Sequence, residues 1–430
     1  MASGAHSKKG GRIPVRGITA TVIAVGVIGL VVAVAGATTA AGHGRHTPSH
    51  AQAAATTVPP TPISLVSFSP TADATDVAAG TPLTLHFSAP LAAGTKQPTI
   101  SPPVAGSWTT AGSTLTFTPA GGWIPYTTVK VTVPPGLVGA FGSNTTPLRS
   151  AASVSFTVAP GSTLRLQEIL AELGYLPVRF TPSTPAPSTT TTVATTVPTY
   201  TPGTSTTGPG TIPAPTTTST SVPTTSTVAT SVSADVVQTT PLPGTFSWRF
   251  PNTPASLKDE WVQGKDNTID RGAIMAFESA QGLATDGVAG PQVWVSLLAA
   301  AAKHQVTTRP YNYLMVSESS PETLQVWSDG RIIASSLANT GISAAPTAQG
   351  TYPVYARYAS TTMSGLNPNG TKYKDPGVRW VAYFNGGDAV HEFPRPGYGW
   401  PQSLGCVELP SSTAENIWGT DPIGTLVSVL

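Results

Sequence analysis

Hydrophobic positions along the chain change rhythm several times, and each rhythm predicts a different element. The first is continuous: an uncharged run from Gly17 to Gly44 has an apolar part from Ile18 to Ala41 and follows Lys8, Lys9, Arg12 and Arg16. As a helix this part would extend roughly 36 Å, enough to cross a hydrocarbon core of about 30 Å. The basic flank should stay inside. Residues 1–17 are therefore expected to be a cytoplasmic tail and residues 18–41 a membrane anchor. A cleaved leader is the alternative, because Ala35-Gly36-Ala37 offers small residues at cleavage spacing. Either way the rest of the chain works outside the membrane, in the cell envelope or secreted.

After a short linker, residues 42–61, the pattern becomes period two. Leu83, Leu85 and Phe87 alternate with Thr84 and His86; Leu115/Phe117, Val129/Val131/Val133 and Val154/Phe156/Val158 repeat it between Pro- and Gly-rich turns. Residues 62–160 are predicted to form a β-sandwich, with His86 on its solvated face. The period then turns helical: Leu166, Ile169, Leu170 and Leu173 fall at i, i+3, i+4 and i+7 and stop at Gly174. Residues 181–245 are mostly Thr, Pro, Ser, Val and Gly with one charge, Asp235. Such a segment buries too little apolar area to offset its ordering entropy, so a disordered insertion is expected. Helical spacing resumes at Ile269, Ala273, Ala276, Phe277 and Ala280, and Pro291 is well placed to open a further helix. From 309 to 430 the text reads as strands and loops, with Leu324-Gln325-Val326, Ile332-Ile333, Trp380 to Phe384 and Leu426 to Leu430 as strands.

Composition agrees with a mainly β, multidomain chain: charged residues are 10 % of it, with 42 Gly and 43 Pro. A net charge of +2 without a basic stripe argues against nucleic acid as a partner. No metal-ligand spacing such as His-Glu-x-x-His occurs, so a zinc hydrolase is not expected by motif; no metal site and no cofactor are expected. The count that changes the picture is cysteine. There is one, Cys406. In an oxidising compartment a lone thiol is an intermolecular bridge, a chance buried residue or a reactive group. His391 stands fifteen positions before it, too far for one helix face but suited to adjacent strands or loops. A thiol nucleophile needs such a base. Gly405, just before the cysteine, lets the backbone bend so that N–H groups face a developing oxyanion.

Three stretches resemble known families. Phe68-Ser69-Pro70, His86-Phe87-Ser88 and Phe117-Thr118-Pro119 resemble bacterial immunoglobulin-like domains, which implies a spacer or adhesive module. Leu173-Gly174-Tyr175 and the run Leu283 to Pro291 resemble a three-helix peptidoglycan-binding domain over 163–180 and 246–303, split by the insertion. His391, then Ser403-Leu404-Gly405-Cys406-Val407, with Asn339-Thr340-Gly341, Pro346 to Tyr352 and Gly424 to Val427, resembles the L,D-transpeptidase catalytic domain over 309–430. That resemblance implies cysteine-dependent acyl transfer on peptidoglycan stem peptides, forming cross-links between third residues through a thioester. It makes Cys406 the nucleophile and His391 the base. The N–H groups of Gly405 and Cys406 become the oxyanion donors, the Glu392 carbonyl the orienter of the imidazole, and Ser403 the brace of the loop. Tyr383, Trp400, Leu404 and Glu408 are weaker candidates to line the substrate site. Leu404 and Glu408 depart from the family pattern, where His or Lys and Arg or Asn are common. A non-catalytic wall-binding scaffold and a stem-trimming cysteine peptidase remain as other readings.

Overall fold

The computed structural model describes residues 59–183 and 236–430. The expected anchor at 18–41 lies outside the described residues, as do 42–58 of the first linker and 184–235 of the insertion. Among the described residues no helix is long and apolar enough to cross a membrane.

The alternating segment forms ten strands: β1 (Thr61–Pro62), β2 (Leu65–Ser69), β3 (Ala74–Val77), β4 (Leu83–Phe87), β5 (Thr99–Ser101), β6 (Gly106–Ala111), β7 (Thr114–Pro119), β8 (Thr128–Val133), β9 (Thr145–Thr146) and β10 (Ala152–Val158). There are two four-stranded sheets, β2-β4-β7-β6 and β3-β10-β8-β5, and a separate small β1-β9 pair. Their inward residues are the ones the period-two pattern selects: Leu83, Leu85, Phe87, Leu115 and Phe117 from one sheet meet Val129, Val131, Val133, Phe156 and Val158 from the other. His86 points outward and meets Thr114 Oγ1 at 2.9 Å across the β4–β7 pair.

The helical part contains α1 (Thr163–Glu172), a hairpin of β11 (Val178–Pro182) and β12 (Gly244–Trp248), a single turn α2 (Ala255–Asp259), α3 (Thr268–Gln281) and α4 (Pro291–Ala302). Ser162 caps α1, Asn267 caps α3, Gly282 ends α3 in the left-handed region at φ 67°, and Pro291 opens α4. The expected three helices are present, but the hairpin corrects the boundaries of the insertion. Thr181, Pro182, Gly244 and Thr245 are paired in strands rather than disordered. Residues 236–243 are also ordered, because they find partners on two modules. Thr239 N–H donates to the Gly121 carbonyl (2.7 Å), Gln238 Nε2 to the Ala120 carbonyl (3.1 Å), and Leu242 N–H to the Glu168 carboxylate (3.1 Å). Composition alone hides such partners.

The C-terminal part has nine strands and one helix: β13 (Asn312–Ser317), β14 (Thr323–Ser328), β15 (Arg331–Leu337), β16 (Gly350–Pro353), β17 (Ala356–Leu366), β18 (Lys372–Asn385), β19 (Asp388–Glu392), β20 (Val407–Leu409), α5 (Ser411–Ile417) and β21 (Leu426–Val429). A five-stranded sheet, β15-β14-β13-β21-β16, and a four-stranded sheet, β17-β18-β19-β20, share one core. Leu314, Val316, Leu324, Val326, Val427 and Val429 supply one side; Ala382, Phe384, Val390, Val407 and Leu409 the other. The helical module does not stand apart from this unit. Its core runs on into Tyr313, Trp327 and Leu426 of the five-stranded sheet. A Cβ on Gly272 of α3 would lie 2.6 Å from the Gly424 carbonyl, so a glycine is what lets the backbones approach.

Candidate active site

The four-stranded sheet brings His391 and Cys406 together. His391 lies on β19, which pairs in parallel with β20 so that Val390 faces Val407 and His391 faces Glu408. Extending that register back one position sets Cys406 opposite Ala389. Residues two apart on a strand share a face, so Cys406 and His391 project to the same side. Both line one cavity of about 640 Å³, with Met363, Tyr373 and Asp375 from the β17–β18 ribbon as its far wall.

His391 is 2 % exposed, and its Nδ1 meets the Glu392 carbonyl at 2.6 Å. A carbonyl only accepts, so Nδ1 carries the hydrogen and Nε2 keeps its lone pair. Burial lowers the imidazole's pKa below its ordinary 6.5, although the bond to Glu392 and the charge of Glu408 work the other way. The thiol of Cys406 is pushed up to about 12, first by burial and then by the Asp388 and Glu408 carboxylates, against the Ala389 N–H that points at it. Cys406 Sγ also lies 3.6 Å from the Gly387 carbonyl. Both shifts favour a neutral pair, thiol and imidazole.

The loop carrying the thiol is held by Ser403. Its Oγ donates to the Cys406 carbonyl (2.5 Å) and accepts from Gly405 N–H (3.1 Å). Gly405 has φ +117°, and a Cβ there would collide with Asp388 Oδ1. Asn339-Thr340-Gly341 brace the same loop: Ser403 N–H donates to the Thr340 carbonyl (3.0 Å), and Asn339 and Glu408 exchange backbone bonds. Thr340 is fixed in turn by Glu322, whose carboxylate accepts its N–H and hydroxyl at 2.7 and 2.9 Å. Ala348, in the turn before β16, donates its N–H to Asp388 Oδ2 (3.2 Å).

Of the weaker candidates, Leu404 and Glu408 line the cavity. Tyr383 and Trp400 are not among its walls. Tyr383 packs behind Cys406 with Tyr355 and Tyr358, while Trp400 is 49 % exposed. The aromatics in the wall are Phe393, just past β19, and Tyr373, ten positions before Tyr383, at the far end of the long β17–β18 ribbon. Glu392 contributes its main chain to His391, while its carboxylate is held by Arg379 at 2.6 and 2.9 Å. Glu408 is likewise gripped by Arg395, with contacts of 2.7 and 2.8 Å. Arg379, Arg395, Asp388 and Glu322 escape sequence reasoning. The one hint is Glu408 itself, an acid where Arg or Asn is common in the family pattern, which calls for a base nearby.

Residues 311–429 match the family model of the L,D-transpeptidase catalytic domain, and residues 59–158 match that of a bacterial Ig-like domain. No curated protein matches the chain. Solved structures similar to it include an L,D-transpeptidase from Mycobacterium smegmatis, 13 % identical, covering 86 % of this chain and all of that one (TM-score 0.26). L,D-transpeptidase 3 from Mycobacterium tuberculosis is 13 % identical over 85 % of this chain and 98 % of its own (TM-score 0.26). The catalytic domain of the E. faecium L,D-transpeptidase is 24 % identical over 29 % of this chain and all of its own (TM-score 0.26).

Proposed function

We propose that the chain is an L,D-transpeptidase that cross-links peptidoglycan stem peptides through Cys406. The observation that carries this reading is the single cavity lined by the only cysteine and by His391, whose tautomer leaves Nε2 free to accept the thiol proton. It lies within the segment that matches the catalytic-domain family.

In this reading Sγ attacks the amide carbonyl after the third stem residue as its proton passes to His391 Nε2. The imidazolium returns that proton to the departing D-alanine amine, leaving a thioester at Cys406. The side-chain amine of a second stem then attacks the thioester and gives up a proton to His391. Collapse releases the cross-linked product and the thiol. The Cys406 N–H serves as oxyanion donor; Gly405 N–H, expected in the same role, is engaged by Ser403 Oγ. Arg395 pairs with Glu408 and removes one negative charge from the wall the substrate must enter. The helical module, with its resemblance to peptidoglycan-binding domains, and the Ig-like module hold the catalytic unit against the wall, tethered through residues 18–41.

The test is incubation of the full chain with tetrapeptide-bearing muropeptides, wild type against Cys406→Ala. A cross-linked dimer that disappears in the variant supports transfer. Tripeptide without dimer would make it a peptidase, and no thiol-dependent product would make it a scaffold.

A further inference from the structure

A second cavity, of about 580 Å³, lies where the sandwich meets the helical module, and it shares no residue with the Cys406 cavity. One wall is Trp294 of α4, against which Gly161 of the connecting segment is pressed so closely that a Cβ would strike the indole. Tyr126, turned out from the end of the sandwich at φ +62° and 39 % exposed, forms the opposite lip. Asp270 and Arg271 come from the first turn of α3, and Asp266 from the loop just before its Asn267 cap.

Asp270 is the informative residue. It is 2 % exposed and lines this groove. Its Oδ2 accepts from Gln167 Nε2 (2.7 Å) and Asn267 Nδ2 (2.9 Å), while Oδ1 is buried without any donor. Buried carboxylate oxygens are normally satisfied, and an orphan costs the full desolvation of the group. Arg271 brings the opposite charge: its aliphatic stem lies over Gly287, whose Cβ would be 2.8 Å from Arg271 Cγ, and it forms no ion pair among the described residues. An orphan acid, a second acid at the rim and an unpaired guanidinium within five positions match a ligand with both charges close together.

We propose that this groove binds an amino-acid head group, an ammonium and a carboxylate on one carbon, with Asp270 and Asp266 receiving the cation and Arg271 the anion. Tyr126 supplies an aromatic face beside the ammonium, a favourable placement for a cation. Resting on the reading of the chain as a stem-peptide enzyme, the ligand is the free head group of a diamino-acid third residue on a stem that is not being acylated. The groove then holds one strand of the wall while the Cys406 cavity works on another.

The experiment titrates the full chain carrying Cys406→Ala with three disaccharide tetrapeptides by calorimetry. Their third residues are diaminopimelate, the same residue acetylated on its side-chain amine, and lysine. Acetylation should weaken binding about tenfold or more, as should Arg271→Ala with the diaminopimelate probe. The lysine probe should bind weakly and be indifferent to Arg271→Ala, since it has no carboxylate there. Asp266→Asn and Tyr126→Ala, both on the rim, cover the case in which Asp270→Asn fails to fold. Equal affinity for all three probes, or affinities unmoved by any groove substitution, would overturn the proposal. Acylation of Cys406 by a carbapenem, followed by mass in the same groove variants with the thiol restored, should be unchanged. Its absence in the wild type would sink the transpeptidase reading separately from the groove.

Discussion

At the scale of single residues the site depends on where one proton rests. Cys406 is held as a thiol, with a pKa of about 12, and His391 is held neutral by burial. A thiolate–imidazolium pair would need both shifts reversed. The charged and titratable groups around the sulfur act mostly one way: Asp388 and Glu408 oppose a negative sulfur, and Tyr373 and Tyr383 on β18 offer no positive charge. Only Arg395 is cationic, and Glu408 neutralises it. Iodoacetamide should therefore alkylate Cys406 slowly at pH 7, with the rate climbing about tenfold per pH unit from pH 7 to 10. A rate flat from pH 5 to 8 would mean a preformed ion pair. The sign for acyl transfer is opposite at the acid end. Because the folded imidazole's pKa is depressed, Nε2 stays unprotonated below the ordinary 6.5, and turnover should persist there before it falls.

The secondary-structure elements around the dyad explain why some of the site is legible in sequence and some is not. The strand at Trp380 to Phe384 and the turn at Asn385 to Asp388 announce β18 and β19, so His391 is readable from local pattern. Ser403-Leu404-Gly405-Cys406 is readable because a glycine at φ +117° has a local steric cause. Tyr373 is not legible as a wall residue, because strand periodicity does not tell that the far end of a hairpin reaches the site. The grip of Arg395 on Glu408 spans a loop of thirteen positions, and no period connects its ends. That pair has a measurable consequence. Glu408 is 5 % exposed in its side chain and Arg395 28 %, so removing the arginine strands a nearly buried carboxylate beside β20. Arg395→Met should lower stability by about 2–3 kcal/mol, and adding Glu408→Gln should restore most of it. Denaturant midpoints followed by tryptophan fluorescence would read both. An additive double variant would show that the pair is not coupled.

Across the whole molecule, the modules are fastened by different means. The helical and catalytic parts share a core through Tyr313, Trp327 and Leu426, an apolar attachment. The sandwich is attached through contacts with the end of the insertion, polar ones among them, and through Gly161 of the connecting segment, packed on Trp294. Residues 236–243 leave the sandwich's Ala120–Gly121 edge, pass the Arg165–Glu168 pair of α1 and enter β12. Gly121 and Gly122 give way to them: a Cβ at either would collide with the Val237 carbonyl or Thr239 Oγ1. Pro182 and Gly244 are directly paired, so replacing residues 183–243 by an Asn-Gly turn keeps the β11–β12 hairpin and removes only the strap. Arg165 Nε would lose the Gln238 carbonyl and Glu168 the Leu242 N–H, while the Arg165–Glu168 pair at 2.8 Å stays. The helical module should then remain folded and Cys406 should be acylated at the same rate. The sandwich should pivot about residues 159–162. Small-angle scattering should show a broader distribution of distances, and limited proteolysis should cut at Gly161, which is otherwise pressed onto Trp294. Deleting only 186–234, which keeps the strap, should change neither. Unaltered scattering in the strapless chain would assign the orientation to the connecting segment alone, leaving the insertion's ordered end without a mechanical role.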